Sequence, residues 1–241
     1  MINDAVVLAA GKGSRLGPLT ATTPKPLLDV AGRPTILHVL DALAGAGITR
    51  VTVVTGHLGD HLEASLRAWR SPCCSLRFVR QETLDGTARA LALAEDTLDG
   101  SFLFCWGDIL VGPATYADVL AAAGSSAGVL AVNEVADPSA GAAVYVDDTM
   151  RIQRVVEKPA RGTSVTNWNN AGIGVLPPAI WAAIDALEPS ERGEYELPRA
   201  IASLIERGHD FRAVPVRGQW FDIGTPETLA AAREAFAGGM P

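Results

Sequence analysis

No stretch of this chain approaches the ~20 consecutive apolar residues that span a bilayer. The N-terminus lacks a charged leader followed by a cleavable apolar segment. Both absences lead us to expect a soluble, cytoplasmic protein with no membrane partner. Cysteine is scarce: Cys73, Cys74 and Cys105 form no Cys-x-x-Cys pair and show no metal-ligand spacing. A disulfide framework and a zinc module are therefore excluded, and a reducing compartment is the simplest reading. Positive charge is not in excess, with 20 Lys and Arg against 27 Asp and Glu and a formal net charge of −7. Such a balance argues against a protein that coats nucleic acid or an anionic membrane, but leaves room for a local basic cluster that holds a small anion. Internal repeats, linkers and low-complexity tracts are also missing. With 241 residues, 48% of them hydrophobic, the chain is long enough for one large core and rather long for two, so 1–241 is expected to be a single domain.

What is present is an alternation. Ala5 to Ala10, Val51 to Thr55, Leu76 to Val79 and Phe102 to Trp106 are short apolar runs of strand type. Between them, Thr35 to Ala46 (stopped by Gly47), Leu58 to Trp69 and Gly86 to Glu95 carry helical patterns. This order implies parallel βαβ units, whose ligands bind outside the carboxyl ends of the strands. The middle changes character. Gly128 to Val132, Ala142 to Val146, Ile152 to Val156 and Ala171 to Leu176 are β-type runs punctuated by Gly and Asp, which predicts an antiparallel region grafted on the same sheet. Helices are expected again at about 178–187, 197–207 and 226–236, with strands at 211–216 and 220–223. The fold class is α/β: a Rossmann-like mixed, mainly parallel sheet flanked by helices, with an inserted antiparallel region.

Gly11-Lys-Gly-Ser-Arg-Leu-Gly17 follows the first strand directly. Glycines there let the backbone approach a phosphate and point N–H groups inward. Lys12, Arg15 and Lys25 supply three cations within a short stretch, and an Arg fork fits phosphate oxygens. Two familiar phosphate sites are missing. No Gly-x-x-x-x-Gly-Lys-Ser/Thr occurs, so this is not a P-loop. A dinucleotide fingerprint fails as well, because Pro18 and Pro24 interrupt the required helix and no acidic residue ends the strand Val51 to Thr55. Taken alone, the loop is equally readable as a plain turn.

The full run is more specific. Leu8-Ala-Ala-Gly-Lys-Gly-Ser-Arg-Leu-Gly-Pro-Leu-Thr, then Pro24-Lys-Pro-Leu, closely resembles the signature of the sugar-phosphate nucleotidylyltransferase family, the glucose-1-phosphate thymidylyltransferase-like enzymes, in their short form. The resemblance continues in order over nearly the whole chain. Gln81-x4-Gly86-Thr-Ala lies between a strand end and a helix start, where a Gln amide could offer donor and acceptor to a base edge and Gly86 could let the base pack on backbone. Gly107-Asp108 ends an apolar strand. Glu157-Lys158-Pro159, Asn170-Ala-Gly-Ile, Gly193-Glu194-Tyr-Glu196-Leu and Trp220-Phe-Asp222-Ile-Gly-Thr complete the set. Each segment alone also reads as ordinary local structure, a turn or a strand end.

The resemblance implies a nucleotide-diphospho-sugar transferase type of fold and a Mg²⁺-dependent reaction of a nucleoside triphosphate with a sugar 1-phosphate, giving a nucleotide sugar and pyrophosphate. It implies that Arg15 and Lys25 contact the triphosphate. Leu8, Ala10, Gly11, Lys12, Gly13, Ser14, Gln81, Gly86 and Thr87 would line the nucleotide site. Gly141, Glu157, Lys158, Asn170 and Glu194 would line the acceptor site, and Asp108 and Asp222 would hold the metal. Residues 1–125 would serve mainly the nucleotide, and 126–241 mainly the acceptor and the second metal ligand. UTP or dTTP is favoured, with CTP, GTP and ATP open. One departure stands out: Pro198-Arg199 replaces the family's usual Thr-Asp. A cytidylyltransferase acting on phosphocholine or a phosphonate is the nearest alternative, and an inactive nucleotide-sugar sensor is an alternative of another class. Relatives often self-associate, so a homo-oligomer is open, and no room is expected after Ala237 for the extra domain of longer relatives. His57 and His61 stand four apart on an expected helix, but no third ligand accompanies them, so they are read as exposed helix positions. Gly-Thr-Pro at 224–226 is expected to cap the last helix.

Overall fold

The structure, a computed structural model, describes residues 2–69, 71 and 74–238; Cys73 lies outside them. The first half runs β1 (Asp4–Leu8), β2 (Asp29–Val30), β3 (Arg33–Pro34), α1 (Thr35–Gly45), β4 (Arg50–Thr55), α2 (Gly59–Leu66), β5 (Ser75–Arg80), α3 (Thr87–Ala92), β6 (Phe102–Trp106), β7 (Ile109–Val111) and α4 (Pro113–Ala122). The second runs β8 (Gly128–Glu134), β9 (Ala142–Val146), β10 (Ile152–Glu157), β11 (Trp168–Leu176), α5 (Ile180–Asp185), α6 (Leu197–Glu206), β12 (Phe211–Pro215), β13 (Trp220–Asp222) and α7 (Pro226–Ala237).

Nine strands form one sheet, ordered β10-β9-β11-β6-β1-β4-β5, with β8 on β11 and β12 on β8. The pairs β1–β4, β1–β6 and β4–β5 are parallel. Strand β11 turns the sheet antiparallel: its C-terminal half pairs β6, and Asn169 pairs Ala143 of β9. The expected combination of a parallel half and an antiparallel graft is therefore present. Alternation along β1 separates two cores. Ala5 and Val7 pack on one face with Ile36, Leu40 and Leu43 of α1 and Leu229 of α7. Val6 and Leu8 pack on the other with Leu91 of α3, Ile184 of α5 and Leu204 of α6. Burial on both faces explains why the central strands read as continuous apolar runs.

Several expected boundaries move. Strand β11 begins at Trp168, three residues before the expected Ala171, because the polar pair Asn169 and Asn170 continues the ladder against β8 and β9. Helix α3 starts at Thr87, since Gly86 sits at φ 127, ψ 168. Helix α4 was not expected. Its run of alanines blurs the apolar stripe, although Tyr116 and Val119 are buried. Helix α2 begins only at Gly59, behind Leu58 at φ 54, so His57 lies in the preceding turn and shares no helix face with His61. Thr225 caps α7, accepting from Thr228 N with Pro226 in the first turn. Among the described residues, no helix is long and apolar enough to cross a membrane.

Candidate active site

The parallel strands deliver their loops to one edge of the sheet. Gly107 N donates to Leu8 O (2.9 Å), Ala9 N to Val54 O (2.9 Å) and Gln81 N to Thr55 O (2.8 Å). These bonds align the ends of β6, β1, β4 and β5, and so bring the glycine loop, Asp108 and the segment 81–87 side by side. The glycine loop folds as short 3-10 turns over Ser14–Thr20, kinked at Gly17. Gly13, at φ 66, lies against Lys25: a Cβ there would stand 3.1 Å from the Lys25 Cβ. Thr20 Oγ1 donates to Gly13 O (3.0 Å) and fixes that approach.

At the centre, two carboxylates meet one ammonium. Strand β13 pairs β7 so that Asp222 lies opposite Ile109, and Ile223 N donates to Asp108 O (3.0 Å). Sequence distance is thereby erased: Asp108 and Asp222 face a common point. Lys25 Nζ occupies it, paired with Asp108 Oδ2 and 3.6 Å from Asp222 Oδ1. Burial lowers the Lys25 pKa, but Asp108 and Asp222 outweigh burial and leave it above its ordinary value. Burial and the Asp108 charge push the Asp222 carboxyl upward, against Lys25 and Arg15. Arg15 lies close by. A Cβ on Gly224 would stand 3.0 Å from Arg15 Nη2 and 3.2 Å from Asp222 Oδ1, so Gly224 leaves the guanidinium its place.

Two cavities open from this centre. One, of about 470 Å³, is lined by Leu8, Ala10, Gly11, Lys12, Gly13, Ser14, Gln81, Gly86 and Thr87. The other, of about 520 Å³, is lined by Arg15, Gly141, Glu157, Lys158, Asn170, Glu194 and Asp222. Lys25, Asp108, Trp106, Thr87 and Glu194 belong to both. Every residue given a site role in the sequence therefore lines one cavity or the wall between them.

The structure adds local partners at three of these positions. Gln81 was expected to offer both donor and acceptor, but its Nε2 donates to Asp85 Oδ1 (3.0 Å) and Gly86 O (3.1 Å). Only Oε1 is left for a ligand. Gly86, expected to let a base pack against backbone, lines the smaller cavity, and a Cβ there would also meet the Tyr195 backbone nitrogen at 2.5 Å. Gly141 was expected to make room for the acceptor, and a Cβ there would collide first with Asn169 Oδ1.

In the larger cavity, Glu157 ends β10, and Lys158 N donates to Gly141 O (2.7 Å). Lys158 takes the left-handed φ of 42, an uncommon conformation for a side-chain-bearing residue. Its Nζ is 3.8 Å from Glu157 Oε1, and Arg192 Nη2 is 3.7 Å from the same oxygen. Burial, then the neighbouring Glu196, push the Glu157 carboxyl up to about 7 against Lys158 and Arg192. Asn170 Oδ1 accepts from Gly172 N (3.0 Å), which leaves its amide nitrogen for the cavity. Trp106 and Trp220 supply apolar wall. Trp106, Trp220, Asp137 and Glu196 were not chosen from the sequence as site residues; Glu196 carried a signal, as the second carboxylate of Gly-Glu-x-Glu.

The centre also suits a divalent cation chemically. Among the described residues no cluster of three or more His, Cys, Asp or Glu ligands occurs. A pair of carboxylates at the junction of two large cavities suits a magnesium-type ion, which keeps waters and shares substrate phosphates.

The nucleotidyl transferase family profile matches residues 4–238. A UTP–glucose-1-phosphate uridylyltransferase of Haloferax volcanii is 34% identical, with 96% of this chain and 95% of that protein covered. A low-salt glycan biosynthesis nucleotidyltransferase of the same organism is also 34% identical, with 95% of this chain covered; the chain spans 64% of its length. Against the bifunctional protein GlmU of Methanococcus maripaludis the chain spans 54%. Among solved structures, a putative glucose-1-phosphate thymidylyltransferase from Bacillus anthracis in complex with a sucrose superimposes with a TM-score of 0.87 at 27% identity, covering 99% of this chain and 96% of that one.

Proposed function

The chain belongs to the nucleotidyl transferase family, and we propose that it joins a nucleoside triphosphate to a sugar 1-phosphate, releasing pyrophosphate. The observation that carries this reading is the pair of cavities sharing one wall, with Lys25, Asp108 and Asp222 at the junction. Two substrates in those cavities would meet where charge is concentrated.

In this reading the glycine loop and residues 81–87 hold the nucleotide. A ring N–H of uracil or thymine would donate to Gln81 Oε1, in keeping with UTP or dTTP as the favoured nucleotide, and the amino group of cytosine or adenine could donate there as well. The larger cavity holds the sugar, with Glu157, Asn170 and Glu194 on its hydroxyls, the two tryptophans on its apolar face and Lys158 on its phosphate. The labour divides between 1–125 for the nucleotide and 126–241 for the acceptor and second carboxylate, with Thr87 and Glu194 reaching across. An acceptor phosphate oxygen then attacks the α-phosphorus in line with the departing pyrophosphate. The phosphate is already anionic near neutral pH, so no protein nucleophile is required. Catalysis comes from positioning and charge stabilisation. Arg15 and Lys25 neutralise the triphosphate and the leaving group. Asp108 and Asp222 would hold Mg²⁺, which when bound screens the phosphates and polarises the α-phosphoryl group.

The test is pyrophosphate release from each of the common nucleoside triphosphates with Mg²⁺ and a panel of sugar 1-phosphates, plus phosphocholine. Release with a sugar 1-phosphate is expected. Silence across the panel, with nucleotide still bound, would mean a sensor instead.

Two further outcomes follow from the acceptor cavity. Lys158→Ala should raise the acceptor KM by roughly tenfold to a hundredfold, the worth of one hydrogen bond to a charged group, and leave the nucleotide KM in place. An unchanged acceptor KM would remove Lys158 from the phosphate site. The second concerns pH. Glu157 accepts sugar hydroxyls best as a carboxylate, and its pKa stands near 7. The acceptor KM should therefore fall as pH rises through 7, and Glu157→Gln should flatten the profile. Stability has the opposite sign: a carboxyl raised above 4.5 in the folded state binds more protons there, so its contribution falls as pH rises from about 4.5 to 7. Melting curves of wild type and Glu157→Gln between pH 5 and 8 should show the variant gaining relative stability towards pH 8.

A further inference from the structure

Lys25 does more in this geometry than wait for a phosphate. Its ammonium pairs with Asp108 Oδ2 and stands 3.6 Å from Asp222 Oδ1, between the two carboxylates that would hold a divalent cation. The root of the side chain is fixed. Pro24 and Pro26 bracket it, Leu28 N donates to Lys25 O (3.1 Å), and Gly13 packs against its Cβ. Two cations cannot share that point, because each repels the other and both need the same carboxylate oxygens. Arg15, by contrast, makes no ion pair among the described residues and is exposed.

We propose that Lys25 is a resident counter-cation that closes the metal site in the substrate-free protein and is drawn off it by the arriving triphosphate. The inference rests on the reading that Asp108 and Asp222 hold a divalent cation. Lys25 lines both cavities, so a triphosphate in the smaller one offers its ammonium new anionic partners without a change of backbone. Once it moves, both carboxylates are free. Nucleotide and divalent cation then strengthen each other's binding, reciprocally, and the cation alone binds weakly. The lysine thus sets an order: metal is admitted with nucleotide and is not stored before it.

The experiment needs no turnover. Mn²⁺ binding to the substrate-free full chain is measured by calorimetry or by the loss of free-ion paramagnetic resonance signal. Wild type should bind weakly. Lys25→Met should bind on the order of tenfold tighter or more, and Lys25→Arg, which keeps a cation, should bind as weakly as wild type. Adding Asp108→Asn to Lys25→Met should abolish the tight site. Thermal melting guards against a misfolded variant: Lys25→Met should melt low in metal-free buffer and recover with Mn²⁺, while wild type shifts little. Lys25→Met binding no tighter than wild type overturns the proposal. So does tightening in Lys25→Arg, or a tight site indifferent to Asp108→Asn. The underlying reading fails on a different result, full turnover by the aspartate variants.

Discussion

Asp108→Asn should lose roughly 10²–10³-fold in turnover at saturating substrates and ordinary Mg²⁺, the effect of removing one preorganised charge contact at a reacting phosphate, roughly 2.7–4 kcal/mol. Asp222→Asn should do the same. The two carboxylates are brought to one point by the β13–β7 pair and the bond from Ile223 N to Asp108 O, so neither replaces the other. An Asn amide fills the same volume, and the fold should survive, because Lys25 keeps the second aspartate as partner. Pyrophosphate release and circular dichroism measured on the same samples decide the matter. If both variants keep near-full turnover while folded, the dicarboxylate is not the metal site.

Gly86→Ala should damage both substrate sites at once. Gly86 stands at φ 127, ψ 168, a region essentially reserved for glycine, which costs another residue about 1–3 kcal/mol. Its Cβ would also meet the Tyr195 backbone nitrogen at 2.5 Å, and overlap of this kind adds about 1–3 kcal/mol. The neighbourhood cannot yield easily. Tyr195 N donates to Asp85 O (2.7 Å), Ala88 N to Tyr195 O (2.8 Å), and Leu197 N to Thr87 Oγ1 (2.9 Å). Together these tie the segment carrying Gln81 to the segment carrying Glu194 and Glu196. A fall of roughly 5–20 °C in Tm is expected, with KM raised for nucleotide and acceptor alike. That pattern separates Gly86→Ala from Lys158→Ala, which acts on the acceptor only. An unchanged Tm would mean that the two segments move apart freely and that the stitching has no mechanical role.

Local chemistry made much of this protein legible. The apolar runs at 5–10, 51–55 and 102–106 marked a parallel half, because strands buried on both faces are apolar throughout; the edge strand at 76–79 is only partly buried. Gly13 and Asp108 stood out beyond the ends of two of those runs as residue types suited to phosphate and metal, while Lys25, Lys158 and Asp222 were picked out by the resemblance of their segments to the family. Helix α4 stayed hidden, since alanines on every face carry no period, and the start of β11 was masked by Asn169 and Asn170.

The chain order therefore determined the fold class, the glycine loop after the first strand and the identity of the charged residues, since each depends on spacing within a few positions. Tertiary structure decided what those residues touch. It placed Lys25 between two aspartates that lie 114 residues apart, from position 108 to position 222. It turned the Gln81 amide inward onto Asp85, set Gly86 against Tyr195 and placed the half-buried Glu157 beside Glu196. Those facts arise from side chains meeting across the sheet edge, where distance in space, burial and competing partners set the chemistry, and a linear sequence carries none of the three.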